Sequence, residues 1–389
     1  MTGPMAATTP ALLERDRTLV AVGLNHVRLL RDGAVAFPAM LAAIAAAQQE
    51  VLLEMYWLGG DRVGERFRAA LIERARAGVR VRILFDAVGS MDTPGEFWSP
   101  LVAAGALVLE FSPISPLKRQ FRAARLAYRD HRKILVVDGK IGFTGGINIG
   151  ELWAPPDAPE LGWRDDDVEI RGPAAGDMRA AFYDVWKQCG GDVPAGVRPM
   201  SIVATHDSHV RVLTNRIEGR KNRVIHRTYL FGLRHATTSV DIASAYFLPG
   251  PRFLRALRSA AGRGVRVRIL IPEHSDQRIV ALATSSLYGR LLASGVEVFM
   301  YLPRVLHTKT AIFDGRYTMI GSHNLDAVSA QYNLECNVVV DSAEFGAISR
   351  ASFERDLADS TRLELDTWKR RPVPLRFVAW FAALFRAFM

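Results

Sequence analysis

A nine-residue pattern occurs twice in this chain, as "HRKILVVDG" from His131 to Gly139 and as "HTKTAIFDG" from His307 to Gly315. It belongs to a longer duplication. "HVRLL" at His26 is echoed by "HVRVL" at His209, "RARAGVRVRILFD" from Arg74 by "AAGRGVRVRILIP" from Ala260, and "AGALVLEF" at Ala104 by "ASGVEVFMY" at Ala293. So many matches in one order require a structural unit written twice. The fold must therefore hold two copies of one arrangement, and 389 residues, against roughly 100–200 per domain, leave room for both.

Within each copy, helical and extended patterns alternate. A helix with apolar residues at helical spacing ends at Gly78 or Gly264, and a "VRVRIL" strand follows at once. "EVLLEMYWL" from Glu50 and "TSVDIASAYFLP" from Thr238 read as a further pair of apolar strands. Strands alternating with helices imply parallel pairing, whereas the "DG" turns into "KIGFTGG" and "RYTMIGS" are hairpin chemistry and add antiparallel members. The predicted class is α/β: two similar lobes, each a mixed β-sheet flanked by helices. The boundaries read as an N-terminal tail 1–24, a first lobe 25–195, a linker 196–207, a second lobe 208–372 and a C-terminal tail 373–389. "CGGDVPAGVRP" after Trp186 marks the junction.

Several classes are excluded by what the chain lacks. Cys189 and Cys336 stand far apart and outside any CxxC or Cys/His cluster, which argues against a disulfide framework or a zinc site and suits a reducing compartment. "MTGPMAATTPALLERDRT" has no basic stretch leading into an apolar core, so it does not read as a signal peptide. "AVAFPAMLAAIAAA" from Ala34 stops short of the ~20 apolar residues a spanning helix needs and reads as a packed helix. A formal charge of +10 points to an anionic partner: nucleic acid, an anionic membrane surface or phosphorylated small molecules.

The polar residues of the doubled motif suit a phosphate. Residues two apart on a strand face the same way, so His131 shares a face with Lys133 and His307 with Lys309. Imidazole can act as nucleophile or acid/base, and an ammonium group clamps an anion. "GGIN", ending at Asn148, and "GSHN", with Ser322 and Asn324, follow the hairpins; glycines admit close backbone approach, and amides and a hydroxyl donate to phosphate oxygens. One strand later, "WRDDDVEI" and "NLECNVVV" place Asp165 and Glu335 at matching positions, where a carboxylate can hold a histidine ring and fix its tautomer. Taken singly, each feature has an ordinary alternative: a solvated strand face for HxK, turn residues for Asp138 and Asp314, hairpin punctuation for Gly-Gly. Two copies in register weigh against those alternatives. His323 lies inside the second motif and stays a candidate; the remaining histidines are unassigned.

HxKxxxxD repeated in one chain, each copy followed by GGxN or GSxN, resembles the phospholipase D superfamily over about residues 25–345. "RDHRKILVVDGKIGFTGGINIG", "SAYFLPGPRFLRALRSAAGRGVRVRILI", "LHTKTAIFDGRYTMIGSHNLDAVSAQYNLECNVVV" and "EIRGPA" are most similar to bacterial cardiolipin synthases, of the shorter type without two N-terminal spans. The family's usual "RD-T-H" is here "RDDD", with Asp167 where a histidine often stands, which bears on acceptor selection.

The resemblance implies lobes related by a pseudo-twofold axis, with one active site between them. It implies His131, Lys133, Asp138, His307, Lys309 and Asp314 as catalytic residues, Asn148, Ser322 and Asn324 as substrate-binding, and Asp165 and Glu335 as histidine-orienting. One histidine, assigned as His131, attacks phosphorus to give a phosphatidyl-histidine; His307 protonates the leaving alcohol and then activates the incoming one. No cofactor and no metal is needed, because Lys133, Lys309, Asn148 and Asn324 neutralise charge on the phosphoryl oxygens. "RDDD" is an alternative metal cluster, against which stands the alternation of a strand. Phosphatidylglycerol is the implied donor and acceptor, cardiolipin and glycerol the products.

The implied partners are anionic phospholipids and a membrane surface, on the cytoplasmic side of a bacterial membrane; no nucleic acid and no particular protein partner is indicated. "PLRFVAWFAALFRAFM" carries Phe377, Phe381, Leu384, Phe385, Phe388 and Met389 on one helical face and suits an interfacial helix, or one packing on the domain. Lys118, Arg119, Arg122 and Arg125, interleaved with Phe121, Leu126 and Tyr128, suit either a lipid-gathering rim or a solvated loop. The rival functions are a lipid hydrolase using water as acceptor, a metal-independent nuclease and a non-catalytic membrane scaffold.

Overall fold

The computed structural model describes residues 18–118, 121–197, 208–215 and 223–372, with Val378 and Phe381. Arg119, most of the N-terminal tail, most of the linker and nearly all of the C-terminal tail lie outside these residues.

The first lobe runs β1 (Val20–Val22), β2 (Asn25–Arg31), α1 (Gly33–Ala45), β3 (Glu50–Met55), α2 (Arg62–Arg76), β4 (Arg80–Asp86), α3 (Ser99–Ala103), β5 (Leu107–Phe111), β6 (Arg129–Asp130), β7 (Lys133–Val137), β8 (Ile141–Gly145), β9 (Asp166–Arg171) and α4 (Pro173–Gln188). The second runs β10 (Val210–Thr214), α5 (Val224–His235), β11 (Ser239–Ser244), α6 (Pro251–Gly262), β12 (Arg266–Pro272), α7 (Arg278–Leu292), β13 (Glu297–Tyr301), β14 (Lys309–Phe313), β15 (Tyr317–Gly321), α8 (Ala327–Gln331), β16 (Asn333–Leu334), β17 (Cys336–Asp341), α9 (Ala343–Ala358), β18 (Ser360–Arg362) and α10 (Leu365–Lys369). The first sheet thus begins at Val20, ahead of the boundary read at residue 25.

Two eight-stranded sheets result, ordered β1-β2-β9-β8-β7-β3-β4-β5 and β10-β17-β15-β14-β11-β12-β13-β18. In each, three strands joined through helices are parallel (β3, β4, β5; β11, β12, β13), and the motif strand and its hairpin partner run antiparallel beside them. β7 and β14 are buried along their whole length, as the apolar runs "ILVV" and "TAIF" require of strands covered on both faces.

The lobes are joined by a common core rather than a thin seam. Val27, Leu29, Val168 and Ile170 of the first lobe pack in one cluster with Val210, Val212, Ile320, Val338 and Phe345 of the second. Charged pairs cross the same boundary: Arg164 donates to Asp356 at 2.9 Å, and Arg304 pairs with Asp32 at 2.6 Å. Removing one partner of such a buried pair would strand a charge at a cost of ~3–5 kcal/mol, so these contacts fix the relative position of the lobes.

Candidate active site

Short backbone pairings between the lobes build the site. β6 and β16 run parallel, with Arg129 opposite Asn333 and Asp130 opposite Leu334, and the next N–H, of His131, donates to Leu334 O at 3.0 Å. Arg164 bridges Leu306 in the same way, and His307 N–H donates to Arg164 O at 2.7 Å. Each histidine is thereby brought beside the residue that follows its pairing partner in the opposite lobe. Nδ1 of His131 lies 3.1 Å from Glu335, and Nδ1 of His307 lies 2.7 Å from Asp165. The carboxylates are exchanged: each lobe orients the other's histidine.

With Nδ1 held by a carboxylate, Nε2 is the nitrogen of each ring left for chemistry, and that of His307 lies 3.2 Å from Lys309 Nζ. Both histidines line one cavity of about 620 Å³ together with Asn148 and Asn324. Asn148 Oδ1 accepts from Trp57 N–H at 3.2 Å, leaving its amide N–H groups unengaged. Lys133 and Lys309 lie one layer deeper, almost wholly buried. Lys133 Nζ donates to His131 O at 2.8 Å, and Lys309 Nζ stands 2.8 Å from His307 Nδ1.

Burial, and then the closeness of these positive groups, shifts the titration of both histidines and both lysines. Burial, then Lys133 and Lys309, holds His131 well below the usual imidazole range. Burial and Lys309 also lower His307, but the Asp165 carboxylate works against them. Burial pushes Lys133 down to about 7 and lowers Lys309, while it raises Glu335. Two lysines and two histidines held this close under little water favour an anion in the cavity.

Three expected roles are corrected. Asp138 and Asp314 lie at the far ends of β7 and β14, roughly 20 Å from the histidines at ~3.3 Å per residue. Both have φ 52° in their turns, and their carboxylates accept backbone N–H groups of residues 48–50 and 237–239. They fasten the hairpin to the preceding strand and do not enter the cavity. Ser322 does not face it either: its hydroxyl donates to Glu335 and accepts from Cys336 N–H at 3.0 Å, because its position on the strand points toward the carboxylate. In the first lobe the matching residue is Gly146, where a Cβ would overlap Asp165, and Trp153 Nε1 holds that carboxylate instead at 3.0 Å.

The three aspartates of "RDDD" separate by alternation. Asp165 takes His307, Asp166 accepts from Arg164, Thr308 and Thr310, and Asp167 accepts from Ile147 N–H at 3.1 Å. No group of three or more potential metal ligands occurs among the described residues. His323 is buried beside Tyr229, with both ring nitrogens unpartnered and its pKa held down to about 4 by burial; it does not line the cavity.

Sequence reasoning passed over the aromatic walls. Tyr56 lies 4.9 Å from the His131 ring, and Trp153, Trp163 and Tyr246 surround His307 at 5.3, 5.4 and 6.2 Å. A signal existed for two of them, since "YWL" after Met55 and "YFL" after Ala245 are repeat counterparts.

A family model described as cardiolipin synthase, PLD-like domain matches residues 40–154 and 230–357. The chain is 34% identical over 357 residues to a cardiolipin synthase of Geobacillus sp. (strain WCH70), covering 91% of this chain and 70% of the relative. It is 36% identical over 366 residues to cardiolipin synthase A of Pseudomonas aeruginosa (strain LESB58), covering 93% and 72%. Phosphatidylserine synthase of Haemophilus influenzae Rd KW20 shares the fold, with a TM-score of 0.71 at 12% identity over 98% of this chain and 100% of that one.

Proposed function

Since the chain belongs to the cardiolipin synthase family of phospholipase D-like proteins and is a phosphatidyltransferase, we propose that it joins two phosphatidylglycerol molecules into cardiolipin and releases glycerol through a covalent phosphatidyl-histidine. The observation that carries this reading is the pair of histidines in one cavity, each with Nδ1 held by the other lobe's carboxylate.

His131 Nε2 attacks the phosphorus of the donor lipid, a bond from nitrogen to phosphorus forms, and the glycerol oxygen leaves with a proton from His307. His307, now neutral, takes the proton of the acceptor's hydroxyl, whose oxygen displaces His131 from phosphorus. The assignment of roles follows the local fields. His131 is the ring kept more firmly neutral, so its lone pair is available; Asp165 supports a proton on His307. Lys133, Lys309, Asn148 and Asn324 offset charge on the phosphoryl oxygens. Trp153, Trp163 and Tyr246 shield the intermediate from water, so that a lipid alcohol competes as acceptor.

The site works at the surface of an anionic membrane, on its cytoplasmic side. Exposed Met91 and Ile279 flank the residues that line the cavity, and Leu152 lines it. In the neighbouring basic stretch, Lys118 is paired with Glu110. Among the described residues, no helix is long and apolar enough to cross a membrane. Deleting the residues after Pro374 is expected to weaken sedimentation with anionic vesicles, and unchanged sedimentation would rule out a docking role for the tail.

Mass spectrometry of lipids after incubation with phosphatidylglycerol vesicles tests the activity. Cardiolipin and glycerol are expected; phosphatidic acid without cardiolipin would identify a hydrolase.

A further inference from the structure

Beside the reaction cavity lies a second one, of about 610 Å³, that the transfer chemistry leaves unused. Its walls are built where two long helices begin. α5 brings Arg223 at its N-cap and His226 in its first turn; α6 brings Gly250 at its N-cap, then Arg252 and Arg255. Neither N-cap residue caps its helix through a side chain, and the positive ends of both dipoles lie at the cavity these residues line.

No carboxylate among the described residues pairs with this charge. Arg62, Arg266, Arg316 and Arg362 elsewhere on the surface each pair with a carboxylate. Arg223, Arg252 and Arg255 are also exposed and have no such partner among the described residues. Burial, Arg223 and Arg252 together lower the His226 pKa, which sets the two guanidinium groups in one field with that ring. Asp326 is the sole carboxylate among the lining residues, set against three arginines, and burial pushes its pKa up to about 7.

The short helix α8 divides the two cavities: Ala327, Ala330 and Gln331 line this one, Val328 and Ser329 line the other, and Asp326 lines both. The two cavities meet at Asp326 but have different walls, and neither His131 nor His307 lines this one.

From this geometry we infer that the cavity at the N-termini of α5 and α6 is a second anion site that takes a phosphate group, from an unreacting anionic phospholipid or from free phosphate. The lipid source rests on the reading of the chain as a lipid phosphatidyltransferase; the phosphate chemistry does not.

The test compares the full chain with R252A/R255A, two exposed and unpartnered positions. The control R66A/R76A removes the same charge from unpartnered exposed arginines of α2. Binding is read by sedimentation with vesicles of phosphatidylglycerol in phosphatidylcholine and by the rise in unfolding midpoint on adding inorganic phosphate. At about 1 kcal/mol for each basic residue near an anionic surface, R252A/R255A is expected to lose roughly 30-fold in vesicle affinity, with the control near wild type. That loss assigns the site to a headgroup. A smaller phosphate-induced rise with unchanged vesicle binding assigns it to free phosphate. Behaviour matching the control in both measurements overturns the site. Neither readout needs turnover, so a failure to make cardiolipin would refute the proposed activity and leave this result standing.

Discussion

Ser322→Ala separates two roles for one residue. A side chain that touches the phosphate would, on removal, raise KM. In the structure the hydroxyl instead donates to Glu335, which holds Nδ1 of His131 at 3.1 Å. A hydrogen bond to a buried carboxylate is worth ~1.5–3 kcal/mol. If most of that is transmitted to the ring of His131, kcat falls roughly 10- to 150-fold, at 1.36 kcal/mol per tenfold, with KM nearly unchanged. Cys336 N–H also loses its acceptor, which costs ~1–3 kcal/mol of stability. The direction in pH follows from the same contact. Burial already raises the Glu335 pKa and donation from Ser322 lowers it, so the variant's Glu335 protonates at higher pH. The acid limb of kcat therefore moves upward. The assay is glycerol release from phosphatidylglycerol in mixed micelles, at varied surface concentration and from pH 5 upward. A rise in KM with unchanged kcat, or an acid limb that stays in place, would refute this account and return Ser322 to the phosphate.

The exchanged carboxylates predict paired epistasis: Glu335→Gln alone lowers kcat by about 10²-fold or more but adds little in a His131→Ala background, and Asp165→Asn behaves likewise with His307→Ala. Full additivity within either pair, measured by residual turnover, would contradict the cross-lobe contacts. Lys133, pushed down to about 7 by burial, loses its ammonium charge as pH rises through that value, so kcat/KM declines from about pH 7 upward; a bound phosphodiester raises the lysine pKa, so kcat holds to higher pH. A flat kcat/KM profile to pH 9 would exclude Lys133 from phosphate binding. Asp138→Ala is expected to lower the unfolding midpoint while leaving kcat within about twofold, since its carboxylate accepts three backbone N–H groups far from the cavity. Gly146→Ala is expected to abolish most turnover, because its Cβ overlaps Asp165.

Much of the architecture was legible because a duplication doubles each signal. The "VRVRIL" strands, the helices ending at Gly78 and Gly264, and the hairpins after Asp138 and Asp314 are local patterns, and each copy checked the other. The site was less evenly readable. His131, Lys133, His307, Lys309, Asn148 and Asn324 gather at one centre, yet Asp138 and Asp314, equally constant within the repeat, lie at the opposite strand ends. Repetition reports that a residue matters to the unit, whether it holds a turn or a substrate.

Ser322 and Gly146 show the limit in a second form. Strand alternation states which residues share a face but not which face meets the cavity, and that depends on what the sheet packs against. The sequence by itself determined two like α/β lobes, the doubled His–Lys–Asn set and a carboxylate one strand beyond each. Only the tertiary structure decided that the carboxylates cross over. His131 and Glu335 are separated by 204 positions and His307 and Asp165 by 142, so no local pattern links them. They meet because the segments before them pair backbone to backbone across the shared core, a long-range register set by packing.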